Sequence, residues 1–384
     1  MPETRSCECP LWPCAAAGAA ACLAGMEGLT VILHGSSGCY YYPAALIPAP
    51  LQCTFLVEEE IIMGAGDRLR EVIDACADHS RMIAVVTTCV PAVTGEDLRT
   101  GIGDRDVLVV DAPGFVGGFE EGHRRAIRAL APVPDTARRA VNLDGISIAD
   151  PHFRGDVRES RRLLALAGIP AGAVLSRDQV ESIRRPARYT AVVRPELASG
   201  TGEGCGTLLG LGEVERTISR LADRFPDADP DPVSLACRDA EERLVKASEK
   251  YLRRFDPPTV AVIAGEGTAR FIARTLSWFF DADISTIISR TLLTRPAPDT
   301  IFSIDAGEIR DRLASDPPDL VVGSSYERAM APGAAFVGVT IPARDRVRLS
   351  ARPLAGIEGT LALCEDAVNA CIDREKDRRR YNSS

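Results

Sequence analysis

Short apolar runs alternate with amphipathic stretches along the whole chain. The runs are rich in Val and Ile and lack strict two-residue alternation, which is typical of parallel strands buried on both faces. We expect strands at Leu29–Leu33, Cys53–Val57, Met82–Thr87, Val107–Asp111, Ala140–Leu143, Ala171–Leu175, Thr190–Val193, Thr259–Ile263, Ile284–Ser289, Leu320–Gly323 and Ala335–Thr340. We expect helices at Gly66–Asp78, His123–Ala131, Asp156–Ala167, Val214–Arg224, Ala236–Phe255, Ala269–Phe279 and Ala306–Ser315. This alternation predicts an α/β fold of doubly wound, Rossmann-like parallel sheets.

Two interruptions divide the pattern into three blocks. One is the segment Ala131-Pro132-Val133-Pro134-Asp135, and the other is Asp256-Pro257-Pro258, which closes a helical stretch. At 384 residues the chain also exceeds one compact core. We expect an N-terminal α/β subdomain over 1–135, a middle one over 136–256 and a C-terminal one over 257–384. The Gly-rich segment 200–212, which carries Cys205, is predicted as a loop.

Composition and charge exclude several classes of protein. The net charge of −9 argues against nucleic-acid binding, which needs a clustered excess of Lys and Arg. The basic run Arg374 to Arg380 is expected to be a solvated helix end. No stretch reaches the ~18–20 apolar residues that span a bilayer, so no membrane association is expected. The small residues from Cys14 to Met26 suit a tightly packed helix, and the acidic residues before them do not suit a signal peptide. We expect a cytoplasmic protein whose twelve cysteines are thiols or metal ligands.

Three cysteines occupy turns rather than apolar runs. Cys39 closes a Gly-Ser-Ser-Gly turn after the first expected strand, Cys89 follows the third, and Cys14 lies in the N-terminal segment. Because ligands collect beyond the carboxyl ends of parallel strands, the three thiols can reach one edge of one sheet. Iron–sulfur clusters are held by Cys thiolates, usually four. The trio of Cys14, Cys39 and Cys89 therefore predicts a cluster whose remaining ligand is a partner subunit, a carboxylate or another cysteine.

The other cysteines have simpler interpretations. Cys53, at the start of a strand, is a reserve ligand. Cys7 and Cys9 could form a zinc knot with Cys14, or they are idle thiols at a frayed terminus, since paired C-x2-C spacing is absent. Core packing is expected for Cys22, Cys76, Cys237, Cys364 and Cys371.

Small motifs surround the trio. His34 either donates to a cluster sulfide or has a structural role, and the structural role is favoured. Gly35 and Gly38 would let backbone N–H groups approach an anionic cluster, so both are predicted to be cofactor-binding. The segment Gly265-Glu266-Gly267 resembles a phosphate cradle, but no Walker lysine follows it, and we expect no ATP binding by this chain.

The trio belongs to a wider pattern that resembles nitrogenase component 1 subunits and the related dark-operative protochlorophyllide reductase subunits. The matching segments run from the N-terminal to the C-terminal part of the chain. They are Cys14-Ala15-Ala16-Ala17-Gly18, His34 to Tyr41, Glu58 to Ala65, Thr87 to Leu98, Ala112 to Gly118, Val141 to Gly145, Pro318 to Tyr326 and Arg352 to Gly359. The resemblance implies a three-subdomain subunit that pairs with a like subunit, as a homodimer or with a paralogue in a heterodimer or heterotetramer. A 4Fe–4S cluster, or a larger cluster shared between subunits, would lie at the interface on Cys14, Cys39 and Cys89. An ATP-dependent iron protein would deliver electrons to it, and the substrate would lie deeper between the subdomains.

The departures from that family pattern bear on the reaction. No cysteine has the surroundings expected of the anchor of an iron–molybdenum cofactor, and no histidine follows His152. These departures argue against dinitrogen reduction. The chain's small size is similar to that of tetrapyrrole-reducing relatives, including the nickel-sirohydrochlorin cyclase. Three functions stay open: an oxidoreductase subunit acting on an organic or tetrapyrrole substrate, a non-catalytic scaffold for metallocofactor assembly, and an α/β ligand-binding module with thiols in its core.

Overall fold

The computed structural model describes residues 12–291, 299–344 and 347–381, with side chains as far as 378. Three sheets are present in this part of the chain, and every strand pair in them is parallel. The α/β architecture expected from the sequence is therefore confirmed. Cys7 and Cys9 lie outside the described residues. None of the described helices is long and apolar enough to cross a membrane.

The first sheet has the strand order β2-β1-β3-β4. Its elements, in chain order, are α1 (Ala15–Ala24), β1 (Leu29–His34), α2 (Ser37–Leu46), β2 (Gln52–Cys53), α3 (Glu58–Met63), α4 (Gly66–Ala77), β3 (Met82–Thr87), α5 (Cys89–Thr94), α6 (Arg99–Ile102), β4 (Val107–Asp111) and α7 (Phe119–Ala129). β2 is shorter than the predicted Cys53–Val57, because Phe55 adopts a positive φ of 51° that extended backbone cannot accommodate.

The second sheet has the strand order β6-β5-β7-β8. Its elements are β5 (Val141–Asp144), α8 (Phe153–Leu166), β6 (Ala171–Val174), α9 (Val180–Arg184), β7 (Tyr189–Val192), β8 (Glu203–Thr207), α10 (Leu211–Ala222) and α11 (Asp231–Leu252). The prediction that 200–212 is a loop was wrong over β8, which carries Cys205. β8 is an edge strand whose pairing with β7 is irregular, and its glycines hide the strand pattern in the sequence.

The third sheet has the strand order β11-β10-β9-β12-β13. Its elements are β9 (Thr259–Ala264), α12 (Glu266–Phe280), β10 (Asp283–Ser289), β11 (Thr300–Phe302), α13 (Ala306–Ser315), β12 (Leu320–Gly323), α14 (Ser325–Met330), β13 (Ala335–Gly338) and α15 (Gly356–Tyr381). The short edge strand β11 was missed, because three residues give no periodicity to detect.

The second and third sheets share one continuous apolar core, to which α15 contributes Ile357, Leu363 and Cys364. The chain entering α15 is fixed by acidic side chains of α8. Asp156 accepts the Leu354 and Ala355 amides at 2.7 and 2.9 Å, and Glu159 accepts the amides of the first turn. Each sheet falls within one of the three predicted ranges, but the boundaries near 135 and 256 remain a prediction, since α15 packs back onto the second sheet's helices.

α1 is an almost fully buried alanine-rich helix, as the small residues after Cys14 predict. It crosses α7 at a contact between backbones. A Cβ on Gly18 would lie 1.8 Å from the Phe119 carbonyl oxygen, and one on Gly122 would lie 1.8 Å from the Ala15 carbonyl oxygen. The crossing places the residue before α1, Cys14, beside the carboxyl edge of the first sheet.

Candidate functional site

The three predicted cluster cysteines each stand at the beginning of a helix near one edge of the first sheet. Cys39 is the third residue of α2, which follows β1, and Cys89 is the first residue of α5, which follows β3. Cys14 directly precedes α1, and its backbone forms an isolated bridge with Gly118. The first turn of a helix presents unpaired N–H groups and partial positive charge, which favour a thiolate over a thiol.

Gly114, just after β4, lies between two of the sulfur atoms. A Cβ on this residue would be 3.1 Å from Cys89 Sγ and 3.7 Å from Cys14 Sγ. The Gly114 amide donates a hydrogen bond of 3.0 Å to Cys89 Sγ. The Ser36 hydroxyl lies 3.9 Å from Cys39 Sγ. The loop after β4 therefore leaves room between Cys14 and Cys89 and supplies an N–H to a sulfur.

The pKa of Cys14 depends in part on the charges of the other two cysteines of the trio. The residue as a whole is exposed, but the surrounding protein desolvates its thiol enough to raise the pKa of Cys14. The backbone amides of Ala17 and Ala16 oppose that rise, and the charges of Cys39 and Cys89 add to it. Three thiolates so close repel one another, and coordination to iron cations removes the repulsion. The donor set and the space beside Gly114 therefore fit an iron–sulfur cluster.

Cys53 lies next to Cys39 and stays the reserve ligand. The charge of Cys39 contributes to the raised pKa of Cys53, after the larger effect of burial. Its Sγ is 3.6 Å from the Gly35 carbonyl oxygen and accepts the Phe55 amide at 3.4 Å. A sulfur already placed among backbone groups in this way is less available than those of the trio.

His34 has the structural role that the sequence favoured. It is fully buried, and its ring nitrogens lie 3.2 Å from Thr54 Oγ1 and 3.1 Å from Glu96 Oε2. Burial lowers the pKa of His34, whereas the Glu96 carboxylate opposes that shift. The ring joins the end of β1 to the segment after α5 and so supports both cysteine turns.

The two predicted cofactor-binding glycines differ in their surroundings. Gly35 donates its amide to Thr54 Oγ1 at 3.0 Å, and a Cβ there would lie 1.9 Å from Thr88 Oγ1. Gly35 is thus explained by close packing, and its amide has a partner within the protein. A Cβ on Gly38 would meet nothing closer than Ser36 Oγ at 3.9 Å. The approach of a cluster to backbone N–H groups stays a prediction, and Gly38 is the better placed of the two.

The remaining thiols mostly lie in apolar cores. Cys22, Cys237, Cys364 and Cys371 are buried, as predicted, and Cys76 is half-buried at the margin of a small cluster. Cys205 is buried on β8. Across the described residues, no three His, Cys, Asp or Glu side chains converge on one position suited to a single metal ion.

The Gly265-Glu266-Gly267 segment begins α12, as a phosphate cradle would, but a carboxylate of the chain itself lies there. Glu196 accepts hydrogen bonds from the Thr268 amide at 3.3 Å and the Thr268 hydroxyl at 2.6 Å. A Cβ on Gly265 would lie 2.5 Å from Glu196 Oε1. The glycines therefore admit the Glu196 side chain to the positive end of the helix.

A cleft lies where the carboxyl ends of the three sheets face one another. Its volume is about 420 Å³ including the open mouth, and the enclosed part has room for about two water molecules. Its polar lining consists mainly of Trp12, Glu120, Asp150, Arg194, Glu196 and Thr268.

Two charged residues of this cleft were missed by the sequence reasoning. Glu120 is 5% exposed, and burial, with the nearby charge of Glu196, raises its pKa to about 8. Arg194 is buried between Asp150 at 2.8 Å and Asp156 at 3.3 Å. The sequence offered a weak signal for each: two acidic residues shortly after a Gly-Gly pair, and a single arginine shortly after a strand.

Replacing Gly114 by alanine is expected to disturb the predicted cluster site without unfolding the protein. The new methyl group would press on Cys89 Sγ at 3.1 Å and on the Cys14 side chain. We expect iron bound per chain to fall by about half or more, with the free energy of unfolding changed by less than ~1 kcal/mol, because Gly114 is at an incompletely buried turn. Iron analysis and urea unfolding measure the two effects. Gly333→Ala is the matched control, since a Cβ there meets nothing within 4 Å. Full iron content in Gly114→Ala would contradict the geometry described above.

Comparison with known proteins identifies the class and then the family. Three parallel α/β sheets with a candidate cluster site beside Gly114 define the class of the fold. The family model of the nitrogenase component 1 type oxidoreductases matches residues 14–372, so the chain belongs to that family. It is a family of oxidoreductases that bind iron–sulfur clusters and assemble as heterotetramers that work with an iron protein.

Individual relatives and structures agree with this assignment. The chain is 24% identical to the nitrogenase molybdenum-iron protein beta chain of Frankia alni, over 96% of this chain and 83% of the relative. It is 27% identical to the nitrogenase iron-molybdenum cofactor biosynthesis protein NifN of Rhodobacter capsulatus, over 42% of this chain and 40% of the relative. The solved structure of nitrogenase Cp1 at pH 6.5 superposes with a TM-score of 0.81 at 16% identity, covering 95% of this chain and 93% of that one.

Proposed function

We propose that this chain is a nitrogenase-like component 1 subunit that takes electrons from an ATP-dependent iron protein and reduces a bound organic or tetrapyrrole substrate. Cys14, Cys39 and Cys89 would hold the iron–sulfur cluster. Once bound, that cluster supplies one-electron transfer between the iron protein and the substrate. The observation that carries the proposal is the convergence of Cys14 and Cys89 on Gly114, within electrostatic reach of Cys39, in a chain of this family.

An exposed apolar surface beside the trio supports pairing with a like subunit. Its members are large hydrophobic side chains on α2, α3, α5 and the turn after β4, which are 65–81% exposed: Tyr41, Ile62, Met63, Val93 and Phe115. Contiguous exposed apolar groups mark protein interaction sites. A partner that covers them would also cover the trio and could complete the ligand set. The partner is proposed to be a second copy or a paralogue, and the assembly to be cytoplasmic.

The decisive experiment is iron and acid-labile sulfide analysis, with low-temperature EPR, on protein purified without oxygen. We expect about four irons per chain, or about two if identical chains share one cluster. Cys14→Ser, Cys39→Ser and Cys89→Ser should each lose most of this iron, because each removes a thiolate ligand. Cys76→Ser is the matched control, a half-buried thiol away from the trio. Iron content that survives all three substitutions, or iron-free wild-type protein, would rule out the proposed site.

A scaffold for metallocofactor assembly is the second candidate function. Its support is the similarity to NifN proteins, which reaches 30% identity over 29% of this chain for the Mesorhizobium japonicum protein. Both functions require the same cluster, so the fate of the electrons and of the metal after reduction separates them. Incubation with an iron protein, ATP and an excess of candidate substrate should give turnover if the chain is an enzyme. Transfer of a metal cluster to an acceptor protein, without turnover, would select the scaffold.

A further inference from the structure

The cleft between the three sheets contains an acid that has no structural ion pair. The Glu120 carboxylate oxygens accept the Trp12 indole N–H at 3.0 and 3.2 Å, and no salt bridge joins Glu120 to a cation among the described residues. Its neighbour Glu121, by contrast, pairs with Arg124 and Arg125 at 3.3 and 3.0 Å. A buried carboxyl that lines a cleft without a counter-ion is typical of a group that transfers protons.

Glu120 lines the cleft and also contacts the segment that carries Cys14. It follows Gly118, whose backbone bridges to Cys14, and it binds Trp12, two residues before Cys14. A Cβ on Gly118 would lie 3.3 Å from Glu120 Oε2 and 3.5 Å from the Trp12 ring. The carboxyl group is therefore attached through backbone and indole to the segment that carries a predicted cluster ligand.

We propose that Glu120 is the proton donor of the cleft, releasing its proton to a bound substrate as an electron arrives from the side of the cysteine trio. This inference rests on the proposed function of the trio. In each step the Glu120 O–H bond breaks and a substrate–hydrogen bond forms. The substrate gains one electron, and the external iron protein loses one. Water at the open mouth of the cleft reprotonates the carboxylate.

The charges around Glu120 set the pH range of this role. Burial raises the pKa of Glu120 most, the charge of Glu196 adds to the rise, and the Trp12 N–H and the Arg124 cation oppose it, so the pKa is about 8. Farther along the cleft, Asp150 and Arg194 pair with each other at 2.8 Å. The acid is therefore protonated at neutral pH and ionises above about pH 8. An arriving electron adds negative charge nearby. When no substrate is bound to take the proton, this charge raises the proton affinity of Glu120.

Two measurements on the anaerobic, iron-loaded protein test the proposal. Infrared spectroscopy should show a protonated carboxylic acid band that disappears with a midpoint at about pH 8, and Glu120→Gln should lack that band. Voltammetry should show a midpoint potential that falls as pH rises from 7 to 10. We expect about 59 mV in total, which corresponds to a roughly tenfold rise in proton affinity on reduction. Glu120→Gln should abolish this fall and keep its iron, whereas Glu121→Gln, the adjacent ion-paired acid, should behave as wild type.

A second variant covers the case in which Glu120→Gln does not fold. Trp12→Phe removes the indole donor, which stabilises the carboxylate, so both the infrared midpoint and the start of the potential fall should move to higher pH. An iron-loaded Glu120→Gln protein with an unchanged pH dependence, or a Trp12→Phe protein with unmoved midpoints, would overturn this inference alone. Iron-free wild-type protein would overturn the proposed function and this inference together.

Discussion

Substitution of Gly122 by alanine is expected to be among the most damaging single changes in this protein. The added methyl carbon would begin 1.8 Å from the Ala15 carbonyl oxygen, whereas a close carbon–oxygen contact needs about 3.3 Å. α1 and α7 would have to separate by about 1.5 Å along a contact between two backbones. Alanine gains about 1 kcal/mol of helix propensity over glycine, but the strain of an overpacked backbone contact is expected to cost about 3 kcal/mol or more. The steric cost is therefore larger than the gain in helix propensity, and the variant should be less stable than wild type.

The measurement is the free energy of unfolding in urea, together with iron content. Because α1 begins directly after Cys14, its displacement should also lower the iron bound per chain. Gly212→Ala is the matched control: it places alanine at an exposed position early in α10, where a Cβ meets nothing nearer than an arginine side chain at 3.6 Å. That variant should be as stable as wild type or more stable by up to ~1 kcal/mol. Wild-type stability in Gly122→Ala would show that the two helices do not cross as closely as described.

The α/β fold was predictable because most strands carry their own signal. β1, β3 and β9 are continuous apolar runs buried on both faces, and their predicted bounds differ by no more than one residue from the observed ones. The prediction missed β8 and β11 for a physical reason. An edge strand needs no apolar face, so glycines and short lengths are tolerated there. Helix starts were also misplaced. α7 begins at Phe119, four residues before the expected start, because its first turn is fixed by the crossing with α1 and not by periodicity.

The candidate site, too, was predictable from the sequence only in part. Cys39 and Cys89 could be expected at one edge because both follow strands of one parallel sheet, and the carboxyl ends of such strands share an edge. Cys14 was expected to fold over that edge from the segment before the first strand, but nothing local in the sequence shows that its backbone bridges to Gly118, more than 100 residues away. The same long separation explains why Glu120 was missed: its burial depends on Trp12 and on residues of the other two sheets, which no local pattern brings together.

Arg194 is the residue whose removal should most disturb the cleft itself. Its side chain is 4% exposed and lies 2.8 Å from Asp150 and 3.3 Å from Asp156, and it also donates to Thr268 Oγ1 at 3.2 Å. Arg194→Met would leave two carboxylates near each other without their cation. Breaking a buried ion pair from one side typically costs about 3–5 kcal/mol, so we expect about 3 kcal/mol or more at pH 8.

The pH dependence of that loss identifies its cause. Burial already raises the pKa of Asp156 to about 6, and Arg194 opposes the rise, so removing Arg194 raises the pKa further. A folded-state pKa above the unfolded value of about 3.9 means that the native state binds more protons between those two values, and stability falls as pH rises through that window. The deficit of Arg194→Met should therefore be large at pH 8 and shrink towards pH 4, where Asp156 is protonated in the native state of both wild type and variant. Urea unfolding at the two pH values measures this deficit.

A double substitution tests the same cause. In Arg194→Met combined with Asp156→Asn, the carboxamide can still accept the Leu354 and Ala355 amides without a charge, so most of the pH 8 loss should be recovered. A deficit that is the same at both pH values, and that the double substitution does not reduce, would mean that Arg194 stabilises the cleft by packing and not by neutralising Asp150 and Asp156.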